Sequence, residues 1–412
     1  MHRPVSFFTS RWVEPLEHVS ELEPAALARG FRAAAVAAGL KRSGLDLGVL
    51  VCDRADAVSA ARFTTNARVG APVIASREAD ATRLRAIVAN SGGSNTGDGQ
   101  RGLDTARATQ RLTAELLGLE PAQVGVASTG VIGTELSREP LLDGVRRAVE
   151  ALGQDADALA RAILTSDSGP KQACLEVRLP AGTVRISAQA KGAGMISPRF
   201  ATMFCFVQTD AALSAQTLDL LTTVCVKRSF DRISVDGQLS TSDTVFVQAS
   251  GASGVQVEAE TEDELRLGEA MDVLMRQLAL MIVGDGEGAQ RIGRIVVTGD
   301  DGVVEPVARA VADSPLVKTA LHGGDPNFGR ILQAAGMAYP YRDGFVADLE
   351  IEGQLVVSAG EAVVEDLREL EPLVAGAEVE YRLKLPGSGG ESEVFFSDLS
   401  PEYVVFNSRY TS

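Results

Sequence analysis

Short apolar runs of strand length alternate with longer stretches of helical spacing along most of the chain. Leu45 to Val51 and Ser59 to Thr65 have the apolar enrichment of strands and are separated by the polar turn Asp53-Arg54-Ala55-Asp56, which predicts a hairpin. Ala86 to Asn90 is another such run; it opens into the glycine-rich stretch Asn90 to Gly97, and Leu103 to Leu117 then follows with helical spacing before Pro121. Val124 to Ser128 predicts a buried strand, Glu139 to Leu152 and Ala156 to Leu164 predict helices, and Cys174 to Leu179 with Thr183 to Gln189 predict a hairpin turned at Pro180-Ala181-Gly182. Past mid-chain, Met203 to Gln208 predicts a strand and Ser214 caps a helix that runs through Val226. The short runs Ile233 to Val235 and Val245 to Val247 flank a polar segment, Asp236 to Thr244, and Glu262 to Val283 is the longest helical pattern. A strand at Ile292 to Val297, and the alternation through Val303 to Val311, Asn327 to Gly336, Val346 to Val357 and Val379 to Leu385, complete an α/β order. No low-complexity linker or short-period repeat interrupts it, so the halves of the chain are expected to form one interwoven body.

Composition narrows the class. The chain has 412 residues, 45% of them hydrophobic, sufficient for a large core. A net charge of -16 and no basic patch argue against nucleic acid as a partner, because phosphate binding calls for clustered lysine and arginine. The four cysteines, Cys52, Cys174, Cys205 and Cys225, fall singly in or beside apolar runs, without the paired spacing of a zinc site or redox motif, and read as reduced core residues. Residues 1–24 carry acids early and lack a long apolar stretch, so they read as a loosely attached extension rather than a signal peptide or membrane span. A cytoplasmic enzyme is expected.

Several familiar chemistries are excluded by what the motifs lack. The loop after Asn90 precedes a helix but is not closed by the lysine and hydroxyl residue of a nucleotide-binding loop. Gly284 to Gly288 resembles half of a dinucleotide fingerprint, yet it follows a helix and precedes a strand, the reverse of the required order. Three histidines, His2, His18 and His322, accompany no nucleophile elbow and no carboxylate cluster of metal-ligating spacing, so neither a cofactor nor a metal is expected. One other stretch stands out. Lys191 to Phe206, KGAGMISPRFATMFCF, runs from a glycine-punctuated loop through Pro198 into a strand that starts directly after Ala201-Thr202. If the chain were cut before Thr202, that residue would carry both a hydroxyl nucleophile and a free α-amine to serve as its base. Read alone, the stretch also fits an ordinary loop entering a buried strand. Thr129-Gly130, at the end of the predicted strand Val124 to Ser128, fits either a strand-to-loop turn or a pair of donors to a developing oxyanion.

The Lys191 to Phe206 stretch resembles the processing site of the ornithine acetyltransferase (glutamate N-acetyltransferase) family. Gly30-Phe31-Arg32-Ala33-Ala34, Phe63-Thr64-Thr65-Asn66, Ser128-Thr129-Gly130-Val131-Ile132-Gly133, Val235-Asp236-Gly237, Asp285-Gly286-Glu287-Gly288 and Asp325-Pro326-Asn327-Phe328-Gly329-Arg330 are similar to that family's signatures, in its order, from about Gly30 to Ser412. The resemblance implies a layered α/β fold, a DmpA-like sandwich of sheets flanked by helices. It implies self-cleavage at Ala201-Thr202, giving a first fragment of residues 25–201 behind the extension and a second of residues 202–412 that begins with the nucleophile. By the same resemblance Thr129 and Gly130 form the oxyanion hole, and Thr165, Lys191, Thr202, Glu287, Asn407 and Ser412 contact substrate. Acetyl transfer from N-acetylornithine, or from acetyl-CoA in a bifunctional enzyme, to glutamate would follow, in a heterotetramer of two first and two second fragments. A related self-processing acyltransferase or amidase acting on another N-acylated amine is the alternative. Two departures from the family's pattern and the long N-terminus favour it: the departures are Asn90 to Gly97, where the family usually has Asn-Ala-Asn-Ala-Cys-Thr-Gly, and Ser242, where it tends to have asparagine. The alanine-rich segment Arg32 to Leu40 divides the two lines of reasoning, since propensity predicts a helix and the resemblance a strand.

Overall fold

The computed structural model describes residues 6–197, 203–341 and 345–409. Two sheets stacked face to face form its centre. The first runs in the order Val19–Glu21, Lys171–Leu179, Gly182–Lys191, Phe204–Thr209, Thr244–Ala249, Val58–Phe63; the second in the order Phe31–Val36, Leu47–Cys52, Ala86–Asn90, Val124–Ser128. Strand alternation explains the stacking. Along Phe204–Thr209, Phe204 and Phe206 face Leu50, Ile87 and Ala127 of the second sheet, while Cys205 and Val207 face the opposite core. The two sheets approach so closely that a Cβ on Gly125 would lie 2.8 Å from the Phe246 ring, which is why that strand carries glycine there.

Helices cover both outer faces. Ala71–Glu78, Gly99–Leu117 and Arg138–Glu150 pack on the second sheet, and Ala215–Arg228 with Glu262–Gly284 on the first, giving helix, sheet, sheet, helix. Beyond this sandwich a mixed sheet, Ile233–Ser234, Gly389–Ser397, Ile292–Asp300, Glu378–Lys384, Asp348–Ile351, Gln354–Ser358, Glu361–Ala362, packs on Asp301–Ala312 and its neighbouring helices around a separate core. The α/β sandwich flanked by helices is therefore the observed architecture. The residues following Thr202 supply strands to the first sheet alongside those preceding it, Lys191 pairing with Phe204, so the two halves share one sheet.

Three expectations are revised or decided here. Leu47–Cys52 and Val58–Phe63 do not form a hairpin: they belong to different sheets, the first pairing with Phe31–Val36 and Ala86–Asn90, the second with Thr244–Ala249. Leu47–Cys52 is buried along its whole length and Val58–Phe63 at Ser59 to Ala61, and the polar turn between them crosses from one sheet to the other. The alanine-rich segment is the strand Phe31–Val36; Ala33 faces the inter-sheet core and exchanges backbone bonds with Gly153, so tertiary pairing overrides helix propensity. Residues 6–24 are not loose. Val19–Glu21 adds a strand beside Lys171–Leu179, Val13 is buried, and the Trp12 ring lies 5.4 Å from that of Phe395. The hairpin of Lys171–Leu179 and Gly182–Lys191 forms as expected, in antiparallel register. All four cysteines are free and buried, and among the described residues no helix is long and apolar enough to cross a membrane.

Candidate active site

The site begins where three chain segments end together. The strand Val124–Ser128 delivers Thr129, the turn after the helix Asp157–Ala162 delivers Thr165, and the last residue of Gly182–Lys191 is Lys191 itself. The Lys191 ammonium, 1% exposed, donates to Thr165 Oγ1 at 2.8 Å and to Thr129 Oγ1 at 3.3 Å. Strand register sets Lys191 opposite Phe204, two residues beyond Thr202.

Thr129 and Gly130 are fixed by the glycine-rich loop. Gly93 N–H donates to the Thr129 carbonyl, Ser94 N–H to that of Val131, and Gly133 N–H to that of Thr96, so the two loops run side by side. Gly130 has a φ of 130°, and a Cβ there would sit 2.6 Å from Gly93 N; both the left-handed backbone and the close approach require glycine. Among the described residues the Gly130 N–H has no hydrogen-bond acceptor. That N–H and the Thr129 hydroxyl, backed by a lysine charge, are the donor types that stabilise an oxyanion.

The electrostatics behind Lys191 come from residues the sequence reading missed. Asp167 lies 4.0 Å from the Lys191 ammonium, but Lys171 holds the same carboxylate at 2.8 Å and reaches Asp285 at 2.5 Å as well. Burial pushes Asp167 upward, yet Lys191, Lys171 and the bonds from Lys171 and the Gly192 N–H outweigh it and bring the carboxyl down to about 2. Lys191 itself is lowered, first by burial and further by the charge of Lys171, against the pull of Asp167 and Glu287. Asp285 opens the Asp285-Gly286-Glu287-Gly288 signature, whereas Asp167 and Lys171, four residues apart, lie in none of the quoted motifs, and nothing in their spacing joins them to Asp285.

A second group sits on the same loop. Glu287 N–H donates to Ala193 O, a Cβ on Gly194 would lie 2.6 Å from the Glu287 carboxyl carbon, and Asn407 on the C-terminal helix Pro401–Arg409 donates to Glu287 Oε2 at 2.7 Å. Thr129, Gly130, Thr165 and Lys191 thus gather at one end of the Lys191 to Gly194 loop and Glu287 with Asn407 at the other. Ala201, Thr202 and Ser412 lie outside the described residues. The two departures from the family pattern meet each other: Thr96 Oγ1, in the glycine-rich loop, is 3.2 Å from Thr241 Oγ1, which is 3.2 Å from Ser242 Oγ.

Comparison with known proteins supplies the family. The model of the ArgJ family matches residues 32–412. This chain belongs to the ArgJ family. It is 41% identical over 401 residues to the arginine biosynthesis bifunctional protein ArgJ of Nitratidesulfovibrio vulgaris, covering 93% of this chain and 99% of that protein. A glutamate N-acetyltransferase of Methanocaldococcus jannaschii is 38% identical over 402 residues, covering 93% of this chain and 97% of the relative. Among solved structures, the ornithine acetyltransferase of Mycobacterium tuberculosis complexed with ornithine is similar at 36% identity with a TM-score of 0.41, covering 44% of this ArgJ-family chain and 98% of that one.

Proposed function

We propose that this ArgJ-family protein is an acetyltransferase of arginine biosynthesis that cuts itself between Ala201 and Thr202 and then carries an acetyl group from N-acetylornithine to glutamate on the Thr202 hydroxyl. The observation that carries the reading is the convergence of Thr129, Gly130, Thr165 and Lys191 beside the strand whose entry is Thr202. The cut adds one water across the Ala201-Thr202 bond and leaves a carboxylate on Ala201 and an amine on Thr202. The amine, with an ordinary pKa of about 8, is neutral in useful fraction near that pH and takes the hydroxyl proton as the oxygen attacks the acetyl carbonyl. The oxyanion forms against Gly130 N–H and Thr129; its collapse expels the ornithine amine, which receives the proton, and leaves acetyl-Thr202. The glutamate amine then attacks the ester, passes its proton to the Thr202 oxygen by way of the α-amine, and departs acetylated.

Lys191 suits the α-carboxylate of the amino-acid substrate and Glu287 its ammonium, with Thr165, Asn407 and Ser412 completing the contacts. Acetyl-CoA is the second donor in the bifunctional form. Two first and two second fragments make up the working heterotetramer, in the cytoplasm, on small-molecule substrates. Assaying acetyl transfer from N-acetylornithine to glutamate beside acetyl-CoA and water-only arms tests the reading. Glutamate-dependent transfer supports it. Acetate release at full rate without acceptor would instead mark the chain as an amidase.

A further inference from the structure

Building on the self-cleavage reading, we infer that the loop from Val235 to Asp243 is a two-ended clamp on the self-cut segment, with Asp236 gripping the end of the first fragment and Asp243 the start of the second. On the first side, the Asp236 carboxylate accepts from Met195 N–H at 2.7 Å and Ile196 N–H at 2.8 Å. The Ile196 carbonyl in turn accepts from the N–H groups of Val235, Asp236 and Gly237 at 2.9, 3.2 and 3.2 Å. A buried carbonyl held by three amides, in a residue whose own N–H is held by a carboxylate, is over-determined for an ordinary loop. On the second side, Asp243 Oδ1 accepts from Met203 N–H at 3.0 Å, and Thr244 N–H donates to Met203 O at 3.1 Å. Asp243 is fully buried and its Oδ2 has no hydrogen-bond partner. A buried carboxyl with one idle oxygen is costly to keep, and of the groups that bond it, Met203 N–H and the Thr64 and Ser240 side chains, Met203 is the one next to Thr202. Burial also pushes this carboxyl well above its ordinary range, against the bond from Met203 N–H, the charge of Lys191 and the bonds from the Thr64 and Ser240 side chains.

The two aspartates act at different stages. Until the bond is cut, both flanks must be held for the Thr202 hydroxyl to meet the Ala201 carbonyl, since small misplacements of reacting groups are expensive in rate. Afterwards the first flank is a free chain end, whereas Met203 still positions the nucleophile. Asp236 is thus a positioning residue for cleavage alone, and Asp243 one for cleavage and turnover.

The test follows cleavage of freshly made full chain by intact mass, then measures kcat and KM on fully cut material. Asp236→Ala should slow cleavage at least about tenfold while cut protein keeps kcat and KM within about threefold. Because the Tyr403 hydroxyl also donates to Asp236, at 3.2 Å, Tyr403→Phe serves as control and should cut at the wild-type rate. Asp243→Ala should lower both the cleavage rate and kcat at least about tenfold with KM little changed, and Asp243→Asn, which keeps an acceptor for Met203 N–H, should restore most of both. Wild-type cleavage rates in both alanine variants, or an Asp243→Asn protein as slow as the alanine form, would overturn the clamp. Wild-type chain left uncut at Ala201-Thr202 would overturn the parent reading instead, and that is seen before any variant is made.

Discussion

Thr129 owes its place to two neighbours, the loop that accepts and donates along its backbone and the lysine that donates to its hydroxyl. If that hydroxyl stabilises the oxyanion, Thr129→Ala lowers kcat by roughly tenfold to a thousandfold, the range of one such donor, with circular dichroism unchanged. An unchanged kcat would make the residue structural. Asp167 gives a second prediction at this scale. Its carboxyl stands at about 2 in the folded protein, and an unfolded aspartate is near 3.9, so the folded state holds its proton less tightly. The stability it contributes is present above about pH 4 and is lost as the pH falls towards 2. Asp167→Asn is therefore expected to unfold at lower denaturant than wild type at pH 7, by an amount on the order of a few kcal/mol, with the gap closing through that acidic window. A gap that stays constant from pH 7 to pH 2 would remove Asp167 from the charge network.

Elements carry the site as much as residues do. The C-terminal helix Pro401–Arg409 has no buried residue, and it meets the Lys191 loop through the bond from Asn407 to Glu287. Asn407→Ala should therefore raise KM for the amino-acid substrate several-fold while changing kcat and melting temperature little, because a surface helix adds little to the core and a neutral hydrogen bond is worth about 1 kcal/mol. A lower melting temperature with KM unmoved would assign the contact to stability instead. How far these elements could be read beforehand follows from the range of the forces that set them. The hairpin of Lys171–Leu179 and Gly182–Lys191 was legible because its turn is local, and the long helix Glu262–Gly284 because its period repeats over several turns. The pairing of Val58–Phe63 with Thr244–Ala249 was not, since the two strands lie far apart in sequence and short runs of that kind do not state their partner. Thr129, Lys191 and Glu287 were singled out through motif likeness, whereas Asp167, Lys171 and Asp243 act through distance-dependent charge and buried bonds that spacing does not encode. The two departures from the family pattern were visible singly, and their contact through Thr241 only in three dimensions.

At the scale of the whole molecule, one sheet is built from both sides of Thr202, so cutting the chain leaves the strand pairing of Lys191 with Phe204 and the shared core intact. Residues 6–24 add to that unity by spanning the outer strand Lys171–Leu179 and the ring of Phe395 in the third sheet. Trp12→Ala is expected to cost about 1–3 kcal/mol in denaturant unfolding, less than a fully buried aromatic, and to leave kcat within about twofold. Loss of activity without loss of stability would show that the extension serves the site. The central claim is that Thr202 becomes the first residue of a fragment and carries the acetyl group. Intact-mass measurement of the purified protein, before and after rapid quench with N-acetylornithine, tests it directly. Two fragments divided at Ala201-Thr202, with one acetyl mass added to the second at its first residue, is the predicted result. Active protein that stays a single chain of 43.2 kDa, or a second fragment that never gains the acetyl group while turnover proceeds, would contradict it.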